Sequence, residues 1–351
     1  MRAVTTRPGV PGSLALAELP EPQPTADSLL VDGLAVGICG TDREIVRGEY
    51  GSPPAGAEVL VLGHESLGRV RHAPPGSGFS AGDLVAGVVR RPDPEPCGAC
   101  AHGEFDMCRN GRYTERGIVG RDGYAAQVWS VAPAYAVKLS ASLADVGVLV
   151  EPASVVAKAW EQVERIGARA WFEPRRVLVT GAGPIGLLAA MMGVQRGLDV
   201  HVVDQVTCGP KPVLTERLGA SYHTAAVDAV MTELRPDVVI EATAAADVVW
   251  AVVGNTAPYG ITCLTGVSSA GRQVPADLGA LNRSLVLEND VIVGSVNANL
   301  RHYAAAAEAL ARAEPDWLSG LLTRRVPLAD WQSAYEPHPE DIKVVLDLTG
   351  G

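Results

Sequence analysis

The sequence predicts a two-domain α/β protein in which a doubly wound parallel sheet is set into the middle of a chain that is otherwise β-rich. Three observations carry this expectation. The 351 residues exceed the length at which a single hydrophobic core stops growing. From about residue 156 apolar strands alternate with helical segments, the order of a parallel sheet with right-handed crossovers. Before that point, runs such as SLLVDGLAVGI, SLGRVRHA and DLVAGVVRR are separated by Gly, Pro and Asp clusters.

In chain order, the first domain is expected over residues 1–155, ending where ASVVAKAWEQVERIGA takes up the helical period. The second spans 156–298, with strands at 176–180, 200–204, 221–224, 237–243, 260–267 and 290–296. These strands read as apolar runs, which suits a sheet covered on both faces. The helix HYAAAAEALARA and the strand-like IKVVLDLT follow. Residues 299–351 are expected to rejoin the first domain, because a third domain of about 50 residues would lie near the lower limit for independent folding.

A formal charge of −11 excludes the clustered basic surface that nucleic acid or anionic lipid requires, so neither is expected as a partner. The uncharged run Val177–Val194 is long enough for a membrane span, but four glycines and Pro184 break it into strand, turn and helix. MRAVTTRPGVPG lacks the apolar centre of a secretory signal, and a cytoplasmic location is expected. In that compartment six cysteines are tested for metal before disulfides.

Strand 176–180 runs into Gly181-Ala182-Gly183-Pro184-Ile185-Gly186 and then a helix, the context in which a glycine triplet cradles a dinucleotide pyrophosphate. Gly181 serves the turn, Gly183 the approach of the phosphates, and Gly186 the packing of helix on strand. Asp204 stands at the end of the next strand, where a carboxylate accepts the adenine ribose hydroxyls and repels a 2′-phosphate. NAD is therefore the expected cofactor. Lys211 and Arg217, further along, leave NADP open as a second one.

Cys39 and His64, 25 residues apart, together with Glu65 and Glu151, offer a thiolate, an imidazole and two carboxylates. Catalytic zinc accepts three such ligands and keeps a position for water or substrate, so three of the four are expected to bind at any moment. Cys97, Cys100 and Cys108 have the spacing of a structural zinc lobe, but Pro94 stands where the first cysteine belongs. Asp93, Glu95, His102 or Asp106 must then complete the site, or it holds no metal. Cys208 and Cys263 read as ordinary cysteines. The histidines outside the metal set read as surface or sheet residues, with His302 set apart by its place at the start of a helix.

With CGTD (39–42), GHES (63–66), the cysteine lobe, GYAAQ (123–127), VEPASVV (150–156) and GAGPIG (181–186), the whole chain resembles the zinc-dependent medium-chain dehydrogenase/reductase family. RRP (90–92), YTERGIVG (113–120) and GSVNANLRHY (294–303) resemble its glucose (aldose) 1-dehydrogenase branch. The resemblance implies a GroES-like catalytic domain beside a Rossmann domain. It implies a catalytic zinc at Cys39, His64 and Glu65 or Glu151, with Thr41 beside the substrate hydroxyl and Glu115, Glu151 and Asn297 on the sugar. The implied reaction is oxidation of an aldose at C1 to the lactone, with Glu65 or Glu151 alternating between metal and water. A secondary alcohol of a cyclitol, aminocyclitol or polyol is the alternative substrate, and a dinucleotide-binding protein without turnover is the reading from another class. The apolar sixth strand is expected to pair with a second subunit in a homodimer or homotetramer.

Overall fold

The computed structural model describes residues 1–268 and 271–350; Gly351, the last residue of the segment expected to rejoin the first domain, lies outside the described residues. The chain divides into two compact units, Met1–Ser154 with Asn297–Gly351, and Val155–Val296.

The first unit is built on the ten-residue strand Leu29–Ile38, whose flanking partners determine where the chemistry sits. Glu65–His72 pairs antiparallel on one side, with Gly37 opposite Glu65. The tail strand Val344–Asp347 pairs antiparallel as well, with Val344 opposite Ile38, and Arg324–Pro327 lies parallel beside it. Three segments remote in sequence thus meet at the end of one strand. Tail residues Trp331, Tyr335, Val344 and Leu346 share one buried cluster with Val4, Val36, Ile38 and Leu62. Burying such side chains stabilises by about 1.5–3 kcal/mol each, which is what secures the tail to the N-terminal part of the unit.

The second unit has the expected parallel sheet, with spatial order Ser221–His223, Asp199–Val203, Arg176–Thr180, Val238–Glu241, Ile261–Leu264 and Val291–Gly294. Each observed strand falls within the range read from the sequence or begins one residue before it. Val177, Leu178, Val179, Val238, Val239 and Ile240 are fully buried, as the apolar runs implied for a doubly covered sheet. Chain order reverses beside Arg176–Thr180, so the loop after Thr180 stands at the switch point where such sheets bind ligands. Val291–Gly294 forms one edge. Among the described residues no helix is long and apolar enough to cross a membrane.

Candidate active site

The turn after Leu29–Ile38 makes Cys39 the N-cap of the helix Gly40–Val46, and the cap is reciprocal. The Thr41 backbone N–H donates to Cys39 Sγ at 3.2 Å, while the Cys39 backbone N–H donates to Asp42 Oδ2 at 2.9 Å. This locks the sulfur in place and buries Asp42 completely. The other Asp42 oxygen lies 3.5 Å from His64 Nδ1, and His64 Nε2 lies 3.0 Å from Cys39 Sγ. Asp42 therefore fixes the cysteine turn and sets a carboxylate beside the imidazole ring.

Glu65 enters from the neighbouring strand. Its side chain passes over Gly37, where a Cβ would collide with the carboxylate, so only glycine fits opposite it. Lys343, one residue before the tail strand, is buried to 1% exposure and donates from Nζ to Glu65 Oε1 at 2.5 Å and to the Ile38 carbonyl at 3.4 Å. Glu65 Oε2 is buried without a hydrogen-bond partner.

One donor atom each from Cys39, His64 and Glu65 lie within 4.8 Å of one another. Burial works against charge on His64, but Cys39 and Asp42 outweigh it and raise the imidazole pKa well above its ordinary value. The surroundings thus demand positive charge at this point, and a divalent cation competes with that proton. A thiolate, a neutral imidazole and a carboxylate with an unused buried oxygen are a donor set that fits zinc.

Glu151, in the first turn of the helix Val150–Gly167, does not join the three at mutual ligand distance. It lies within their field. Loss of hydration pushes its carboxyl up to about 7; His64 opposes this, Glu65 adds to it, Lys343 opposes and Asp42 adds. Thr41 is half-buried beside Cys39.

Glu115 and Asn297, named together as sugar contacts, are in direct contact: Asn297 Nδ2 donates to Glu115 Oε1 at 2.7 Å. Arg90 donates to the same oxygen through Nε at 3.1 Å and Nη2 at 3.0 Å, and its guanidinium lies 3.7 Å above the Tyr113 ring. Asn297 holds a left-handed φ of 59° with its Oδ1 on the Ala298 N–H, a backbone cost typical of functional positions. His302 is buried and closes the N-terminus of the helix Leu300–Ala311 by accepting from the Asn299 N–H, which accounts for its place there structurally.

In the second unit Gly181 has φ 86° and donates to the Val203 carbonyl, while a Cβ on Gly186 would strike the Gly181 oxygen. Gly183 caps the helix Pro184–Gln195, with Pro184 and Ile185 opening its first turn, and a Cβ there would meet nothing within 4 Å. The loop therefore presents a helix N-terminus to open space, as pyrophosphate requires. Asp204 is half-enclosed: Oδ2 accepts from the Ala182 N–H at 2.7 Å and from Lys211 Nζ at 3.2 Å, and Oδ1 accepts from the Val206 N–H at 3.0 Å. A cavity of about 730 Å³ beside it is lined by Gly181, Asp204, Lys211, Thr224 and Thr243 among others.

Three residues of the site went unread in the sequence. Lys343 carried a signal, a lone lysine leading an apolar strand. Asp42 was visible in CGTD as a capping-box acid, and Arg90 in RRP, but neither has a spacing that points to its partner.

Comparison with known proteins gives one consistent relationship. The family model described as the alcohol dehydrogenase GroES-like domain matches residues 25–141, and that described as the glucose dehydrogenase C-terminus matches 144–348. The chain is 40% identical over 356 residues to glucose 1-dehydrogenase 2 of Vulcanisaeta moutnovskia, covering 99% of each chain. It is 42% identical to glucose 1-dehydrogenase of Thermoproteus tenax, again over 99% of each. Among solved structures it resembles Haloferax mediterranei glucose dehydrogenase in complex with NADP, Zn and gluconolactone, with a TM-score of 0.91, 31% identity and 99% of both chains covered.

Proposed function

The chain belongs to the zinc-dependent medium-chain dehydrogenase/reductase family, in its glucose dehydrogenase branch, and on that premise we propose that it oxidises the C1 hydroxyl of a cyclic aldose to the lactone. The hydride from C1 passes to a nicotinamide dinucleotide and the hydroxyl proton is released. The observation that carries the reading is the polar group in which the half-buried Asn297 and the buried Arg90 meet on one oxygen of the buried Glu115, in the unit that holds Cys39, His64 and Glu65. A polyol needs several oriented hydrogen-bond partners, and an ordinary alcohol site does not.

When bound, zinc supplies Lewis acidity that brings the substrate hydroxyl's pKa toward neutrality. Cys39 and His64 would hold it together with Glu65 or Glu151. Asp42 keeps the His64 ring oriented, and Lys343 holds one oxygen of Glu65 while leaving the other unbonded. Thr41 relays the hydroxyl proton outward, and Glu151, when not on the metal, is the carboxylate placed to receive it. Glu115 and Asn297 orient the remaining sugar hydroxyls. Gly181, Gly183, Pro184, Ile185 and Gly186 seat the pyrophosphate.

Asp204 favours a free ribose 2′-hydroxyl, and hence NAD. Lys211 beside it supplies the positive charge that admits NADP as the weaker partner. The first unit acts as the catalytic domain and the second as the cofactor domain. We also read the protein as cytoplasmic and as a homodimer or homotetramer; support for assembly comes from the edge strand Val291–Gly294 and from Leu278, Val286 and Leu287, each about two-thirds exposed.

The test is a panel of aldoses and polyols offered to zinc-loaded protein with NAD and with NADP, following nicotinamide reduction and lactone formation. Aldoses should be oxidised with lactone as product. Turnover confined to cyclitols or open polyols would replace the substrate assignment.

A further inference from the structure

The sulfurs of Cys97, Cys100 and Cys108 lie within 4.8 Å of one another, but Pro94, where spacing would place a fourth thiol, has no side-chain donor. The four nearby side chains with donor atoms are engaged elsewhere. Asp93 is 3% exposed; its Oδ1 accepts from the Glu95 N–H at 2.8 Å, and its Oδ2 accepts from Asn110 Nδ2 at 2.9 Å and Arg112 Nε at 3.2 Å. Glu95 turns outward to Arg112 Nη2 at 2.9 Å, with 79% of its side chain exposed. His102 Nδ1 lies 2.7 Å from the Gly98 carbonyl oxygen. The buried Asp106 accepts from Asn299 Nδ2 at 2.7 Å. None of them reaches mutual ligand distance with the three sulfurs.

The Asp93 contacts also do what a four-thiolate ion would do. A ligand at position 94 would be tied through the metal to Cys108. Here Asp93 is tied through hydrogen bonds to Asn110 and Arg112, and the Arg109 N–H donates to Cys97 Sγ at 3.4 Å. A buried carboxylate with three donors is a strong fastening in itself.

We propose that this lobe binds one thiophilic divalent ion through three thiolates and leaves the fourth coordination position to water or another external ligand, while the Asp93 clasp holds the lobe's chain path without the ion. Closed four-ligand sites retain zinc for structure, and a site with an open position admits exchange. The inference is independent of the substrate assignment.

Cobalt(II) reports coordination directly. In full-length Cys39→Ser protein, so that only the lobe contributes sulfur-to-cobalt charge transfer, cobalt uptake should give a three-thiolate spectrum whose d–d bands shift on adding imidazole. EDTA should remove the ion with no loss of far-ultraviolet circular dichroism. Pro94→Cys in the same background should hold cobalt through EDTA and ignore imidazole. Asp93→Asn should lower the thermal midpoint of the ion-stripped protein. Should Cys39→Ser not fold, the difference spectrum between wild-type and Cys97→Ser protein isolates the same bands. Absence of cobalt bands, a wild-type spectrum unmoved by imidazole, retention matching that of Pro94→Cys, or unfolding on stripping would each overturn the proposal, as would an unchanged midpoint in Asp93→Asn.

Discussion

Lys343 and Glu65 form a buried ion pair, Nζ to Oε1 at 2.5 Å, across 278 residues of sequence. Both side chains are almost wholly removed from water. Breaking such a pair from one side leaves a charge with neither solvent nor partner, typically at a cost of about 3–5 kcal/mol. Lys343→Met is accordingly expected to lower the free energy of unfolding by a margin of that size, read as a lower urea midpoint, with Lys343→Arg recovering part of it. An unchanged midpoint in Lys343→Met would mean that Glu65 is neutral or paired otherwise.

The Glu151 carboxyl titrates at about 7 against an ordinary 4.5, chiefly through lost hydration. Between those values the folded chain retains a proton that the unfolded chain has released. Stability of the metal-stripped protein should therefore fall as pH rises from 4.5 to about 7 and level off above that. Glu151→Gln should remove this fall. Parallel curves of denaturation midpoint against pH for the two proteins would place the titration elsewhere.

In the proposed reading Asp204 and Lys211, paired at 3.2 Å, act in opposite senses on the cofactor's ribose. Asp204→Ala should relax discrimination against NADP, and Lys211→Ala should sharpen it. Each change is expected to move the ratio of kcat/KM for NAD and NADP about tenfold, the worth of one charge-assisted hydrogen bond. A ratio unmoved in both variants removes this pair from cofactor selection.

Glu115→Gln keeps an acceptor for Asn297 but discharges the group that faces Arg90. KM for the aldose should rise about tenfold while zinc content stays at the wild-type level, because the proposed charged partner of the sugar is weakened and no proposed metal ligand is touched. Loss of zinc in this variant would assign Glu115 to the metal instead.

The parallel sheet was legible because its signals are local: apolar strands, a glycine turn and helical crossovers lie within a few residues of one another. Cys39, His64 and Glu65 were legible by residue type, and the structure brings their donor atoms together. Lys343 was not, because what places it is the antiparallel register of Val344 with Ile38, a long-range pairing that no periodicity encodes. Asp42 shows a third case. Its capping role is local and readable, whereas its approach to His64 depends on how two strands are aligned. Arg90 shows in the sequence only as part of RRP, and its burial depends on Glu115 opposite it in the strand ladder, the Asp106 carbonyl and the Tyr113 ring.

The tail strand Val344–Asp347 gives the molecule a built-in order of assembly. On the ribosome the thiol and imidazole emerge early, hundreds of residues ahead of the ammonium that neutralises Glu65, and closure over so long an intervening loop is slow. In the proposed reading the metal site would be complete only once Val344 pairs with Ile38, and a chain lacking residue 343 would carry the proposed ligands without the ammonium that neutralises Glu65.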